Sequence, residues 1–322
     1  MNGRDPNGAT TSLAVQAFDK ASMRPRINAG PGAFRNPVTP RHPASSWLFA
    51  VLVACLAFRP AAARDLEFGI TPVLGRSTMQ ADFDPLMAYL SESLGQRVVL
   101  YVAKDYGDLR IQMESGAVDI GSFSPFSYVD AVRGGKVRII AQSLIEGAAS
   151  YRGVIVVRRD SGLKNVADLR GRRFAFVDPK SASGYVYPRA MLIERGIDPD
   201  HYFQAVFFAG DHNRVISAVL DRQADAGAVY DGALQIAKAA GTPTDEMAIL
   251  VSTDPIPHDA ITVRVGLDGA LAGRIQAALV GIGQSEAGRR VISGNKKGLT
   301  GFVLATDGQF DVVRRTAASA GL

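Results

Sequence analysis

Two serines and a glycine stand where a predicted strand passes into a predicted helix, and together they have the chemistry of an anion site. Residues 172–177 are apolar and aromatic enough for a buried strand, and residues 184–195 are predicted as a helix that tolerates Pro188 in its first turns. Unpaired amides and the positive end of the helix dipole collect at such a junction and favour an anion. Ser181 and Ser183 add hydroxyl donors without adding charge. An ordinary serine helix cap is the alternative explanation.

Further polar and aromatic residues fall at other predicted strand-to-helix corners or at the start of a predicted strand. Tyrosine hydroxyls and histidine ring nitrogens can donate hydrogen bonds to an anion, whereas carboxylates only accept them. The residues of this kind are Tyr106, Tyr151, His212, Asp231 and Asp259. Core packing would also explain the tyrosines, and positions in a first helical turn or a tight turn would explain His212 and Asp259.

The composition excludes a nucleic-acid-binding protein. The 322 residues suggest about two domains, and 47% apolar with 21% charged residues is ordinary for a globular protein with full cores. The formal net charge of +5 misleads, because residues 1–63 hold seven basic and two acidic side chains. The rest of the chain holds 29 of each and has no basic stripe. We therefore expect no nucleic-acid partner.

Residues 1–63 have the character of a signal segment for export. Residues 47–58 are an apolar run that is too short to span a bilayer comfortably but suits a signal peptide, and we expect cleavage after Ala63. Cys55, the only cysteine, ends a run that resembles a bacterial lipoprotein cleavage box, so a lipid anchor at Cys55 is the alternative. A buried or membrane-anchoring helix is a third interpretation. The single cysteine excludes an intramolecular disulfide.

Strands and helices alternate along the rest of the chain. This alternation covers residues 66–158 and begins again at residue 172, which indicates α/β units with largely parallel sheets. A later return to the first unit predicts two lobes joined by two crossing strands, at residues 152–158 and 247–252. Clefts of this kind bind small ligands near strand C-terminal ends and helix N-termini. The predicted division is a targeting segment (1–63), lobe 1 (64–152 plus 253–322) and lobe 2 (153–252).

Five stretches of sequence carry a resemblance to a known family. The most specific is FAFVDPKSASGYVYPRAML, and the others are DYGDLRIQMESGAVDIGSFSPFSYVDA, YRGVIVVRRDSGL, FAGDHNRVISAVLDRQADAGAVYD and DPIPHD. In their order and spacing, from about Leu66 to Ile292, they resemble the periplasmic substrate-binding proteins of phosphonate, phosphite and phosphate ABC transporters. The resemblance implies an α/β, two-lobed, type II-like periplasmic-binding-protein fold. It has two mixed sheets flanked by helices and two crossing strands, and it closes on its ligand.

The resemblance also implies a set of ligand-binding residues. The family's oxyanion site falls on Ser181, Ala182, Ser183 and Gly184, where Ala182 can offer only its backbone amide. The family's histidine matches His212, its cleft tyrosines match Tyr106 and Tyr151, its late acidic residue matches Asp259, and Asp231 is a weaker match. The implied partners are a phosphorus oxyanion and an ABC permease in the inner membrane, with the binding protein exported, periplasmic and monomeric.

The aspartate beside a bound anion has a chemical explanation. A tetrahedral oxyanion held by neutral hydroxyls and amides needs no Lys or Arg, because fixed dipoles are strong where water is excluded. A carboxylate can accept a hydrogen bond from a P–OH group but not from fully deprotonated sulfate. A monoprotonated phosphorus species is available, since the second ionisation of phosphate esters lies near about 6. Asp259 is therefore predicted to select against sulfate.

The same residues raise three alternatives, namely an enzyme, a ligand-sensing protein and a binding protein for a different ligand. The histidines form no spaced metal pair, and no G-x-S-x-G elbow or P-loop is present, so we expect neither catalysis nor a metal or other cofactor. The same fold could serve as the ligand-sensing partner of a membrane receptor or kinase. A different oxyanion or a phosphorylated small molecule could occupy the same scaffold.

Overall fold

The computed structural model describes residues 64–74, 76–295 and 298–322. The predicted signal segment, its cleavage after Ala63 and the lipid anchor at Cys55 lie outside the described residues. No helix in the described part of the chain is long and apolar enough to cross a membrane.

Strands and helices alternate through most of the described chain. The strands are β1 (Leu66–Ile70), β2 (Val98–Val102), β3 (Ile120–Phe123), β4 (Val137–Ile145), β5 (Ser150–Arg158), β6 (Arg173–Phe176), β7 (Ala205–Phe208), β8 (Ala226–Tyr230), β9 (Met247–Pro257), β10 (Ala260–Arg264) and β11 (Leu299–Leu304). The α-helices are α1 (Arg76–Leu94), α2 (Asp108–Ser115), α3 (Pro125–Arg133), α4 (Tyr187–Glu194), α5 (Pro199–Tyr202), α6 (His212–Leu220), α7 (Ala233–Ala239), α8 (Gly269–Val280), α9 (Glu286–Gly294) and α10 (Asp311–Ser319).

The strands form two mixed sheets. The first has the order β11-β4-β10-β3-β1-β2, and the second has the order β7-β6-β8-β5-β9. β1 is parallel to β2 and β3, and β6 is parallel to β7 and β8, whereas β10 is antiparallel to both of its neighbours. Strands that return through a helix are parallel, but β10 enters the first sheet directly from the second and runs the opposite way. The expectation of largely parallel sheets is therefore wrong at these strands.

The chain passes between the two sheets twice. β4 leads into β5 through residues 146–149, and β9 leads into β10 through residues 258–259. β5 and β9 pair antiparallel from Ser150 and Pro257 at one end to Arg158 and Met247 at the other. The crossing segments predicted at 152–158 and 247–252 lie within these two paired strands. The exact lobe limits stay a prediction.

The C-terminal segment adds a strand and a helix that were not predicted from the sequence. Strand β11 lies at an edge of the first sheet, and helix α10 packs against both α3 and α4. The Tyr128 hydroxyl of α3 donates to the Asp307 carboxylate at 2.6 Å, and its ring lies 4.7 Å from that of Phe310. The C-terminal segment therefore anchors α3, which follows directly on the cavity-lining residues at the end of β3.

Candidate ligand-binding site

The serine-rich turn is the structural starting point of the site. Ser181 caps the turn by accepting a hydrogen bond from the Gly184 N–H at 3.1 Å. Residues Ala182–Val186 form a π-helical turn, and regular α4 begins only at Tyr187. Regular α-helix therefore starts three residues later than predicted. Because the Ser181 oxygen is the acceptor in this cap, its hydroxyl proton is left to donate.

Two glycines allow the turn to sit close to its neighbours. A Cβ at Gly184 would lie 2.4 Å from a Val177 methyl carbon. A Cβ at Gly153, in β5, would lie 2.9 Å from the Ser183 carbonyl oxygen. Strand β5 and the end of β6 thus approach the turn from two sides, and side chains at these positions would displace it.

A cavity of about 590 Å³ collects most of the residues predicted for the site. Seven of the nine line it, namely Tyr106, Tyr151, Ser181, Ser183, His212, Asp231 and Asp259. Ala182 and Gly184 do not line it: Ala182 is buried in an apolar cluster with Val186, and the Gly184 N–H is used by the cap. The turn therefore presents its two hydroxyl-bearing side chains to the cavity and keeps its small residues behind them.

The two tyrosines lie beside the two serines. Tyr106 is 1% exposed, and within the described residues its hydroxyl makes no hydrogen bond of standard geometry. Burial raises the pKa of Tyr106 well above its usual value; the neighbouring Ser181 side chain opposes this shift and the charge of Asp259 adds to it. Burial likewise raises the pKa of Tyr151, with Asp259 adding to the shift and Ser183 opposing it. Both hydroxyls therefore stay protonated and available as donors.

His212 contributes a neutral ring. It is the first residue of α6, it is 2% exposed, and burial lowers its pKa to about 3. Its Nδ1 lies 3.4 Å from the backbone N–H of Tyr230, so Nδ1 is the acceptor and the proton is assigned to Nε2. A neutral histidine with a protonated Nε2 is a donor that brings no positive charge to the cavity.

The free energy of unfolding is expected to fall on acidification because of His212. The unfolded chain takes up this proton near pH 6.5, whereas the folded protein resists it down to about 3. The stability is therefore intact above about pH 6.5 and is lost as the pH falls toward 3. Between pH 7 and pH 5 we expect His212 to account for a loss of about 2 kcal/mol, measured by urea unfolding.

A His212→Gln variant isolates this effect, because the slope with pH is read rather than the stability itself. We expect the variant to lose the His212 share of the slope. His201→Gln is the control: His201 is exposed, and its hydrogen bond to Asp198 raises its pKa. Its contribution has the opposite sign, since it is present below pH 6.5 and lost as the pH rises. An unchanged slope in His212→Gln would mean that the ring is not buried neutral.

The two aspartates of the site are held differently. The Asp231 carboxylate accepts the backbone N–H of Arg152 and that of Gly232, each at 3.0 Å. Asp259 stands in the short link before β10, and its charge raises the pKa of Tyr106, Tyr151 and Tyr230, in each case after burial as the larger cause. Asp259 and all three tyrosines line the same cavity.

The sequence reasoning missed several lining residues. His258 stacks on Tyr151 with ring centroids 4.9 Å apart, and burial lowers its pKa to about 4. Further hydroxyls line the cavity from the ends of the first-sheet strands, at Thr71, Ser122, Ser124 and Ser143. The motif DPIPHD contained the signal for His258, because it places the histidine next to Asp259. The hydroxyl residues lie at or just after the ends of apolar strands, where small polar residues are common in any turn, so their types alone did not indicate a site.

Where the cavity is polar, its described lining is not cationic. Of the described residues that line it, none is a lysine or an arginine. No cluster of three or more His, Cys, Asp or Glu side chains in the described ranges could hold a metal ion. Among the described lining residues, the side-chain donors are hydroxyls, imidazoles and the amides of Gln235 and Asn295, and the charged groups are carboxylates.

A family model described as ABC transporter, phosphonate, periplasmic substrate-binding protein matches residues 68–310. The chain belongs to this family. The matched range contains every described residue that lines the cavity, from Phe68 to Phe302. The family consists of substrate-binding proteins of transporters and is not an enzyme family.

The chain is similar in sequence to two relatives. The phosphate-import protein PhnD of Mycolicibacterium smegmatis is 33% identical over 170 residues, which are 50% of this chain and 53% of that protein. The phosphonates-binding periplasmic protein of Escherichia coli is 25% identical over 258 residues, which are 78% of this chain and 75% of that protein. The chain thus spans about half the length of the first relative and three quarters of the second.

The fold agrees with that of a solved structure. A binding protein component of an ABC phosphonate transporter from Pseudomonas aeruginosa superposes with a TM-score of 0.75 at 20% identity. The superposition covers 80% of this chain and 86% of that chain. The predicted fold class, with two mixed sheets flanked by helices as in periplasmic binding proteins, is confirmed.

Proposed function

We propose that this protein captures a phosphorus oxyanion, a phosphonate, phosphite or phosphate, and delivers it to an ABC importer. The supporting observation is the convergence of neutral donors on one cavity: the hydroxyls of Ser181 and Ser183, the buried unpartnered hydroxyl of Tyr106, and the ring of His212. A buried donor without a partner costs free energy, so a ligand that supplies the acceptor is favoured there. Family membership supplies the transport role.

The neutral donor set accounts for both binding and release. Hydroxyls and amides fixed by the fold stabilise an anion in a site from which water is excluded, without the cost of burying a compensating cation. Two lobes that close around the ligand provide this exclusion, and reopening restores water as a competitor. The lobes proposed for this movement are residues 64–152 with 253–322, and residues 153–252.

The direct test is isothermal titration calorimetry on the purified protein with phosphate, phosphite, methylphosphonate, 2-aminoethylphosphonate and sulfate. We expect at least one phosphorus anion to bind at micromolar or lower concentration and sulfate to bind far more weakly. Absence of heat with every phosphorus anion, in a protein that melts cooperatively, would overturn the proposed function.

Asp259 is proposed to provide the preference over sulfate. Its carboxylate can accept a hydrogen bond from a monoprotonated phosphorus group, whereas sulfate has no proton to offer and is repelled. We expect Asp259→Asn to reduce the ratio of methylphosphonate to sulfate affinity by about tenfold, since one charge-assisted hydrogen bond contributes about 1.5 kcal/mol or more. Asp221→Asn is the control, because Asp221 is exposed directly after α6 and does not line the cavity. An unchanged ratio in Asp259→Asn would remove this role.

The partners and location follow from the transport role. We propose an inner-membrane ABC permease as the partner, export to the periplasm by the N-terminal 63 residues, and a monomer in solution. Lipid attachment at Cys55 is the alternative form of export. A role as a sensing partner of a membrane kinase is not favoured, because the family that matches is one of transport proteins.

A further inference from the structure

One part of the cavity lining is polar and contains Ser181, Ser183, Tyr106 and Tyr151; we call it the polar corner. Another part of the lining is apolar, and we call it the apolar chamber. Its walls there come from the first sheet and the helices that cover it, and they are Phe68, Met79, Phe83, Leu86, Val291 and Phe302. Five of these residues belong to the buried core of the first sheet, and Phe83 packs against that core. These walls are continuous with the buried core of the first sheet, and they line the same cavity as the serine-rich turn.

The size of the cavity exceeds what a bare phosphorus oxyanion can fill. A phosphate ion has five non-hydrogen atoms and, at roughly 30 Å³ for each water-sized group, occupies on the order of a quarter of the space. The whole cavity measures about 590 Å³, which lies within the range of sites for organic ligands. Apolar walls are stabilised when an apolar group displaces water from them, so the chamber favours an apolar occupant.

The carboxylates near the cavity do not require a cationic ligand. Glu146 is exposed to solvent, and Asp231 already accepts hydrogen bonds from two backbone amides. Asp82, on the α1 wall, takes part in an interaction within the protein, as does Asp259. The other described α1 side chains that line the cavity, Met79, Phe83 and Leu86, are apolar, so an alkyl or aryl group would meet carbon on this wall.

We propose that the ligand is an organophosphorus anion that carries an uncharged apolar substituent of several carbon atoms, held in the chamber while the phosphorus group meets the serine-rich turn. This inference rests on the proposed function. The chamber then decides which phosphorus compounds are taken up, because the turn recognises only the part that they share. Inorganic phosphate would occupy the polar corner and leave the chamber empty.

A ligand series tests this by calorimetry on the full protein. We expect affinity to rise about fourfold per buried methylene, and therefore roughly sixtyfold from methylphosphonate to n-butylphosphonate. 3-Aminopropylphosphonate matches the butyl compound in number of non-hydrogen atoms but ends in an ammonium group. We expect it to bind no more tightly than methylphosphonate, because the ammonium must lose water in an apolar chamber.

A filling substitution ties the effect to the chamber. Val291→Phe is expected to weaken n-butylphosphonate binding at least about tenfold and to leave methylphosphonate binding within about twofold. Val280→Phe is the matched control, since Val280 is exposed on α8 and does not line the cavity. If Val291→Phe does not melt cooperatively, Leu86→Phe fills the same chamber from α1.

The outcomes separate the two proposals. If no phosphorus anion binds, the proposed function fails. If methylphosphonate binds but n-butylphosphonate binds no more tightly, or if 3-aminopropylphosphonate binds best, the apolar substituent is refuted and the proposed function stands. A rise in affinity with chain length that persists unchanged in the filled variants places the substituent elsewhere and also refutes the inference.

Discussion

Replacing Ser181 and Ser183 together by alanine is expected to weaken methylphosphonate binding by at least about a hundredfold, measured by calorimetry. Each hydroxyl would donate to a charged oxygen, and a hydrogen bond to a charged group contributes about 1.5 to 3 kcal/mol. The Tyr106 and Tyr151 hydroxyls would also lose the neighbouring serine side chains that act on them.

The two serines also differ in a way that the single variants can expose. Ser181 caps the turn, so Ser181→Ala should lower the free energy of unfolding by about 1 kcal/mol in addition to weakening binding. Ser285→Ala is the matched control, since Ser285 caps α9 through the Gly288 N–H at 2.9 Å and does not line the cavity. The Ser285→Ala variant should lose about the same free energy of unfolding and keep full methylphosphonate binding. Undiminished binding in the double variant would mean that the turn does not hold the anion.

Gly184→Ala is expected to destabilise the protein by about 3 kcal/mol and to abolish measurable methylphosphonate binding. Its Cβ would lie 2.4 Å and 2.5 Å from two carbon atoms of Val177, which is buried at the end of β6. Overpacking of this kind forces the backbone to shift. The shift would carry Ser181 and Ser183 with it, since both lie within three residues of the substituted position. Urea unfolding and calorimetry measure the two effects.

Gly273→Ala is the matched control for this substitution. Gly273 is exposed on α8, and nothing lies within 4 Å of the position that its Cβ would take. Alanine should therefore stabilise this helix by about 0.5 to 1 kcal/mol. If Gly184→Ala behaved like Gly273→Ala, the close packing of the turn against β6 would be wrong.

The sequence was sufficient to predict the serine-rich turn because its signals are local. A buried strand, a Ser-x-Ser-Gly turn and a helix are neighbours in sequence, so periodicity and capping preferences decide their arrangement. The π-helical start at Ala182–Val186 was not predictable in this way. It is closed by a hydrogen bond from the Val186 N–H to the Ser181 carbonyl at 3.0 Å, and this shift of one residue in the backbone bonding leaves no mark on the hydrophobic period.

The apolar chamber could not be predicted, because its walls come from residues that are far apart in the sequence. Phe68, Leu86 and Val291 all have the spacing of ordinary core residues, and most of their surfaces are indeed buried. They line one cavity only because α1 and α9 pack over the first sheet, which no local pattern shows. His258 was missed for a related reason, since its stacking on Tyr151 joins the link before β10 to strand β5.

The paired strands β5 and β9 impose a mechanical constraint on the molecule. They pair along most of their length, so we expect them to move together and any rotation between the sheets to occur at residues 146–149 and 258–259. His258 and Asp259 make up the second of these two links. We therefore expect a ligand that contacts Asp259 to change the backbone torsion angles of that link.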